Sequence, residues 1–337
     1  MAQLHSTAIT LNISSTPGYL PHSFWSSGAL GAVVLSICFL LGFPGNIAVL
    51  ILKPNWKNMS SLSQSLMLNL AVSDLLCTLT TPVLIYSFFK SWTLGLVSCK
   101  LIMYFIYCSI FSSLLTVTVL SVQRYLQAVY LERSLHEVKA WKLLVPLWLV
   151  VIILSTPALV FQQPVEKLHH LTCSSQYASK GQRMAVVLTE TLVGTVSLFA
   201  IVFSYISLYR KVNQAPLFNN PRTTRLITSI IVTSVVLWIP YRTVTVLGVA
   251  AIYSNDENLQ KIFEDSWRIL GSVTFVNSAV NPLLYAFTSK RLKFRIAQTL
   301  PESRDITTEP SDVNTRPCST GLRVAVLIHQ IIRLLCH

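Results

Sequence analysis

Long apolar stretches separated by short polar loops recur along this chain. A helix needs about 20 apolar residues to cross the hydrocarbon core of a bilayer. Transmembrane β-strands would instead show segments of roughly ten residues with alternating polarity, which these stretches lack. The pattern therefore predicts an all-α membrane protein, a bundle of seven transmembrane helices with spans at residues 28–52, 62–89, 97–130, 140–161, 184–211, 223–252 and 264–287.

The third span carries no charge between Lys100 and Arg124. A helix from Cys99 to Arg124 would extend roughly 37 Å, which is more than the ~30 Å hydrocarbon core. Its interior mixes serine and threonine with large apolar residues, and small polar residues suit a helix that is surrounded by other helices. We expect this span to be the central helix of the bundle.

The segments that flank the bundle, which we place at residues 28–288, differ from it in composition. Residues 1–27 lack Lys and Arg and are expected to form a polar tail, in which the sequon at Asn12 predicts N-glycosylation. Basic and apolar residues alternate over 289–300, which predicts a short amphipathic helix on the membrane surface after the seventh span. Residues 301–337 begin with a Ser- and Thr-rich part and are expected to form a tail.

Only 12% of the residues are charged and 52% are hydrophobic, and the mean hydropathy is +0.57. The net charge of +13 does not indicate a nucleic-acid partner, because Lys and Arg lie at the ends of the apolar runs rather than in one cluster. They are concentrated after spans one, three, five and seven. The positive-inside rule then predicts an extracellular N-terminus and a cytoplasmic C-terminus.

Ionisable side chains inside a bilayer are costly and usually functional. Asp74 lies within the second span, and Ser113, Asn277 and Asn281 could reach it in a compact bundle. Such oxygen-rich partners favour a monovalent-cation site around a buried carboxylate. The alternative is a protonated Asp74 that is hydrogen-bonded only for packing.

Several short motifs occur in order along the spans. They are GFPGN ending at Asn46, NLAVSDL with Asp74, QRY at 123–125, LWIPY with Trp238 and Pro240, and NPLLY from Asn281 to Tyr285. Together with Cys99 and Trp148, these motifs make the chain resemble the rhodopsin-like (class A) G-protein-coupled receptors over roughly residues 28–300.

The resemblance implies roles for individual residues. It implies a sodium ion, the only cofactor expected, at Asp74, Ser113, Asn277 and Asn281. Cys99 and Cys173 both face an oxidising compartment in this topology and are predicted to form a disulfide. The implied activation switch consists of Arg124, Tyr125, Tyr205, Trp238, Pro240, Asn281, Pro282 and Tyr285.

The chain departs from the family pattern at Gln123, which replaces an acidic residue before Arg124. The arginine then lacks its usual adjacent ionic restraint. We expect measurable signalling without a ligand.

Charged residues in the outer halves of the spans suggest the chemistry of the ligand. Arg183, Arg242 and Arg268 would converge on one cavity and suit a carboxylate or a phosphate, and Glu190 is an isolated acid two turns below Arg183. The third span has no acid in its outer half, which argues against an amine ligand. The alternative for Arg183 and Arg268 is that they extend to lipid headgroups.

Three strings, GQRMAVVLTETLVG (181–194), WIPYRTV (238–244) and STPALVF (155–161), are similar to the leukotriene B4 receptors. This similarity implies a hydroxylated fatty acid as the ligand, a Gi-type heterotrimeric G protein, chemoattractant signalling at the plasma membrane, and arrestin binding through the Ser- and Thr-rich tail. Met103 and Phe111 stand where those receptors have histidine and tyrosine. The expected ligand site comprises Met103, Tyr107, Phe111, Arg183, Glu190, Trp238, Tyr241, Arg242 and Arg268.

Other function classes fit the sequence less well. A receptor for a short chemoattractant peptide with a free carboxylate is the close alternative. A transporter is a distant one, because it should show inverted repeats and broken helices around a midplane site. The chain shows no nucleophile–base pair, phosphate loop or metal-ligand cluster beyond the sodium site, so we do not expect an enzyme.

Overall fold

The protein is a bundle of seven helices with one β-hairpin, in a computed structural model that describes residues 22–53, 59–130, 139–167, 170–214 and 221–288. This architecture confirms the predicted seven-helix bundle. In chain order the elements are α1 (His22–Leu52), α2 (Ser61–Phe89), α3 (Gly95–Tyr130), α4 (Trp141–Phe161), β1 (Gln162–Lys167), β2 (His170–Ser175), α5 (Lys180–Gln214), α6 (Pro221–Ser254) and α7 (Glu257–Thr288).

Six of the helices, α1 to α6, are long and apolar enough to cross a membrane. Their large apolar side chains are exposed on the outside of the bundle, where lipid would contact them; Leu40, Ile51 and Phe199 are examples. Many polar residues of the spans, including Asp74 and Arg242, are buried instead. This inverted distribution is the one expected of a protein whose solvent is the bilayer.

Several helices extend beyond the predicted spans. α1 begins at His22, inside the segment expected to be a tail, and α7 begins at Glu257 rather than at 264. A helix satisfies its backbone hydrogen bonds internally, so it can continue past the apolar run into polar surroundings, where hydropathy no longer marks it. Asn12, the amphipathic segment 289–300 and the tail 301–337 lie outside the described residues.

α3 occupies the centre of the bundle, as predicted. It packs against α2, α4, α5 and α6 and against β1. In the most apolar part of α3, 61% of the residues are buried, whereas in the most apolar part of α4, at the periphery, 22% are buried. Pro82, Pro157, Pro240 and Pro282 all lie within helices, as expected from their positions in the spans.

The sequence did not predict the antiparallel hairpin formed by β1 and β2. A disulfide joins Cys173 in β2 to Cys99 near the start of α3, which confirms that prediction. The hairpin is also fixed to the turn after α2, because the backbone N–H of Trp92 donates to the carbonyl of Leu171 at 2.7 Å and the N–H of Leu171 donates to Ser91 Oγ at 2.7 Å. We call this end of the bundle the hairpin end, and the other end the Arg124 end.

Candidate ligand and signalling sites

A buried polar cluster connects α5 and α6. The hydroxyl of Tyr241 donates to Glu190 Oε1 at 2.6 Å, and Nη1 of Arg242 donates to the backbone carbonyl of Glu190 at 3.2 Å. Arg242 is 4% exposed and Glu190 is 6% exposed. The two charged residues that the sequence placed in the outer halves of the spans therefore lie together, with a tyrosine between the helices.

Aromatic rings and one glycine complete the surroundings of the guanidinium. Its central carbon lies 4.9 Å from the ring centre of Trp238 and 5.1 Å from that of Tyr241, within the range of cation–π attraction. Gly194 of α5 lies directly against it, and a Cβ at that position would overlap the guanidinium. Sequence reasoning missed Gly194, whose only signal was a glycine inside an apolar span.

Two of the guanidinium nitrogens of Arg242 find no acceptor in the part of the chain that the structure describes. Nε and Nη2 are buried and have no hydrogen-bond acceptor among the described residues. Leaving a buried charged donor unpaired costs more than a typical hydrogen bond contributes. The cluster therefore presents two strong donors to whatever anion can reach them.

The predicted site residues on α3 have different neighbours. Tyr107 lies within electrostatic range of Glu190 and Tyr241. Phe111 stacks on Tyr107 at 6.3 Å between ring centres and packs with Leu147 and Val151 of α4. Met103 packs against the apolar group that contains Leu35, Phe275 and Ala279.

Arg183 and Arg242, two of the three arginines expected to converge, have different partners in the structure. Arg183 makes an ion pair with Glu264 at 3.1 Å and donates to Gln260 at 3.4 Å, so it connects α5 to α7 near the surface at the hairpin end. The sequence could not show that an acid on α7 would neutralise it. Arg268 lies in α7, and its side chain is outside the described residues.

A narrow crevice lies beside the cluster, between α6 and α7. Its empty volume is about 150 Å³, and its lining consists of Leu237, Trp238, Tyr241, Val273, Thr274 and Asn277. Pockets for drug-sized ligands usually measure roughly 300–1,000 Å³. This crevice is thus too small for a long acyl chain in this conformation.

A second polar site surrounds Asp74, which is fully buried. Nδ2 of Asn281 donates to Asp74 Oδ2 at 2.6 Å, and the hydroxyls of Ser113 and Ser278 lie beside the carboxylate. The side-chain oxygens Asp74 Oδ1, Asn277 Oδ1 and Asn281 Oδ1 have no donor among the described residues. The unpaired oxygens of Asp74 and Asn281 fit a hard cation, which needs oxygen ligands and no hydrogen.

At the Arg124 end, Gln123 and Arg124 both contact the start of α2. The amide of Gln123 donates to Ser63 Oγ at 3.0 Å and to Ser60 Oγ at 3.3 Å, while Nη2 of Arg124 lies 3.5 Å from Ser63 Oγ. Ser60 is also the N-cap of α2. Neutral hydroxyls of α2 thus hold the two residues where the sequence lacks an acid.

Three of the other predicted switch residues are tyrosines toward the Arg124 end. Tyr285 is buried in the large apolar core at the Arg124 end, and Tyr205 packs against the same core. Tyr125 meets Phe203 edge-on at 5.9 Å between ring centres. Pro240 and Pro282 lie in the interiors of α6 and α7.

Sequence reasoning also missed a hydrogen-bonded chain that joins α2, α3 and α4. Nε1 of Trp148 donates to Asn69 Oδ1 at 2.8 Å, and the Asn69 amide donates to Thr116 Oγ1 at 2.7 Å. Ser112 of α3 and Ser73 of α2 share a further hydrogen bond of 2.7 Å. These serines and threonines were expected only to permit close packing.

Seven packed helices, a disulfide that ties α3 to the following hairpin, and buried polar residues at the motif positions together define the class. The chain belongs to the family of the 7 transmembrane receptor (rhodopsin family), whose family model matches residues 45–285. Individual relatives are distant. From Homo sapiens, leukotriene B4 receptor 1 is 29% identical over 76% of this chain and 76% of its own length, C-C chemokine receptor type 8 is 26% identical over 81% and 79%, and C-C chemokine receptor type 7 is 30% identical over 78% and 72%.

Membership identifies the chain as a G-protein-coupled receptor, a multi-pass protein of the plasma membrane. Proteins of this family are receptors rather than enzymes, and they respond to a small-molecule or peptide ligand by activating a G protein.

Proposed function

We propose that this receptor binds an anionic lipid, leukotriene B4 or a related hydroxy fatty acid. One observation carries the proposal: the guanidinium of Arg242 is buried, and two of its donors have no acceptor within the described ranges of the chain. A carboxylate would supply both acceptors and neutralise the charge. Leukotriene B4 receptor 1 is among the relatives, which supports this choice of ligand.

The neighbouring groups suit the remainder of such a ligand. Glu190 accepts from Tyr241 and has acceptor capacity left for a ligand hydroxyl. Trp238 and the crevice between α6 and α7 offer apolar surface for the carbon chain. Binding would require the crevice to widen, and Pro240 gives α6 a position at which to bend.

The same proposal assigns a direction to the bundle. The hairpin end faces outward, where a disulfide persists and the N-terminal tail carries a glycan at Asn12. The Arg124 end faces the cytoplasm and a Gi-type G protein, with arrestin at the C-terminal tail. A sodium ion at Asp74, Ser113, Asn277 and Asn281 would supply a positive charge that stabilises the inactive arrangement.

A nucleotide-exchange assay tests the ligand. Membranes with the receptor and a Gi heterotrimer are titrated with leukotriene B4, for the wild type and for Arg242→Ala. We expect the half-maximal concentration to rise by about 10- to 100-fold in the variant, because hydrogen bonds to a charged group are lost. Thr243→Ala is the matched control, since Thr243 is the next residue of α6 and is exposed. Equal potency in Arg242→Ala and the wild type would refute the role of Arg242.

A peptide ligand is the second candidate, and the similarity to chemokine receptors favours it. A short peptide could place its C-terminal carboxylate on Arg242 in the same way. Adding a panel of chemoattractant peptides to the assay separates the two, because a lipid receptor should respond to leukotriene B4 alone.

A further inference from the structure

Gly194 is an unusual choice for the interior of α5. A glycine inside a helix costs about 1 kcal/mol relative to alanine. At Gly194 the space that a side chain would take is filled by the guanidinium of Arg242. Gly271 of α7 differs, because a Cβ added there would meet nothing within 4 Å. The absence of a side chain at Gly194 therefore leaves room for the guanidinium of Arg242 on α6.

The contacts of Arg242 fix which part of its guanidinium is available. One face lies against Gly194, and the rings of Trp238 and Tyr241 lie within 4.9 and 5.1 Å of its central carbon. Nη1 is held by the Glu190 carbonyl at 3.2 Å. Nε and Nη2, which share one edge of the planar group, are the two unpartnered nitrogens among the described residues.

That edge matches a carboxylate, because its two parallel N–H groups can donate to both oxygens at once. The carboxylate of Glu190 does not compete for it, since its Oε1 already accepts from Tyr241 and Arg242 meets the Glu190 backbone instead. The orientation of the edge depends on the guanidinium staying against α5.

We propose that Gly194 is a specificity-determining residue, which seats the Arg242 guanidinium so that its Nε–Nη2 edge binds a carboxylate and rejects the uncharged ester. This inference rests on the proposed function, since it presumes a ligand with a carboxylate at Arg242. In Gly194→Ala, the added methyl group displaces the guanidinium and turns the edge away.

The test compares leukotriene B4 with its methyl ester in the nucleotide-exchange assay. For the wild type we expect the acid to be about 10- to 100-fold more potent than the ester. In Gly194→Ala the ratio should fall to within about threefold, with the potency of the ester unchanged. Gly271→Ala, the matched control, should keep the wild-type ratio.

The outcomes separate the two proposals. A wild type that responds to neither compound, or equally to both, overturns the proposed function and this inference with it. A wild-type preference that Gly194→Ala retains, or an equal loss of potency for both compounds in that variant, overturns the role of Gly194 alone. If Gly194→Ala does not reach the cell surface, Arg242→Gln with and without Gly194→Ala is compared. Equal surface expression of Arg242→Gln and of the double variant supports the proposed contact between Gly194 and the Arg242 guanidinium. Lower surface expression of the double variant than of Arg242→Gln overturns it.

Discussion

At the scale of single residues, buried polar side chains mark the sites. Asp74, Glu190 and Arg242 are each less than a tenth exposed within the membrane-spanning part of the chain. Each has partial compensation from a neighbour: Asn281 for Asp74, Tyr241 for Glu190, and the backbone carbonyl of Glu190 for Arg242. Partial compensation leaves the residue able to take a further partner.

Tyr241→Phe removes the hydroxyl that donates a hydrogen bond to Glu190 Oε1 at 2.6 Å. The buried acceptor then loses its hydrogen bond, and we expect the free energy of unfolding to fall by about 1–3 kcal/mol. Thermal unfolding of the purified receptor measures the change as a lower midpoint. Tyr253→Phe is the control, because that residue is 81% exposed and should leave the midpoint unchanged. Equal midpoints for the two variants would contradict the prediction.

Gln123→Asp places a carboxylate beside Arg124. In the wild type, Nη2 of Arg124 has only a weak contact with the hydroxyl of Ser63 in α2, at 3.5 Å. An added ion pair near 1 kcal/mol should lower ligand-free nucleotide exchange by up to about fivefold. Gln123→Asn serves as the control, because an asparagine side chain has the size of an aspartate side chain without its charge. If the Asp and Asn variants gave the same basal rate, the ionic restraint would have no effect here.

The sequence could predict the charged members of the ligand cluster, because ionisable residues inside apolar spans are rare and each one stands out. It could not predict Gly194, nor that Arg183 meets Glu264, because both depend on the relative positions of helices distant in the chain. Met103 and Phe111 were placed in the expected site by their positions along α3, and only the structure shows which apolar groups they pack against.

At the scale of elements, hydropathy locates the helices but not their full lengths. The predicted spans 62–89 and 140–161 differ by one residue at one end from Ser61–Phe89 and Trp141–Phe161. α5 and α7 extend further, since their ends are polar. The hairpin of β1 and β2 has no apolar alternation to reveal it, and the disulfide and backbone contacts hold it in place.

Close contact between α1 and α7 depends on Gly45, where an added Cβ would lie 2.6 Å from Cβ of Pro282. Gly45→Ala should therefore overpack this contact and lower the free energy of unfolding by about 1–3 kcal/mol. The thermal midpoint reports the loss. In the control Gly181→Ala, the new methyl group meets only Ser179 Oγ at 3.8 Å, and we expect no decrease. A Gly45→Ala midpoint as high as that of the control would show that α1 shifts at no cost.

At the scale of the whole molecule, the disulfide joins two cysteines that lie 74 positions apart in the chain, one in α3 and one in β2. Cys99→Ser with Cys173→Ser should lower the free energy of unfolding by about 2–4 kcal/mol, because the unfolded chain gains freedom. Dithiothreitol should lower the thermal midpoint of the wild type but not that of the double variant. A decrease of equal size in both would locate the effect of the reductant elsewhere.

The hydrogen bonds of Trp148 and Asn69 connect three helices, α2, α3 and α4, inside the bundle. Separating those helices in a bilayer would leave the freed groups without replacement partners. These three helices therefore resist separation from one another. If a ligand binds Arg242 as proposed, it acts instead on the contact between α5 and α6, the pair that Arg242 and Glu190 join.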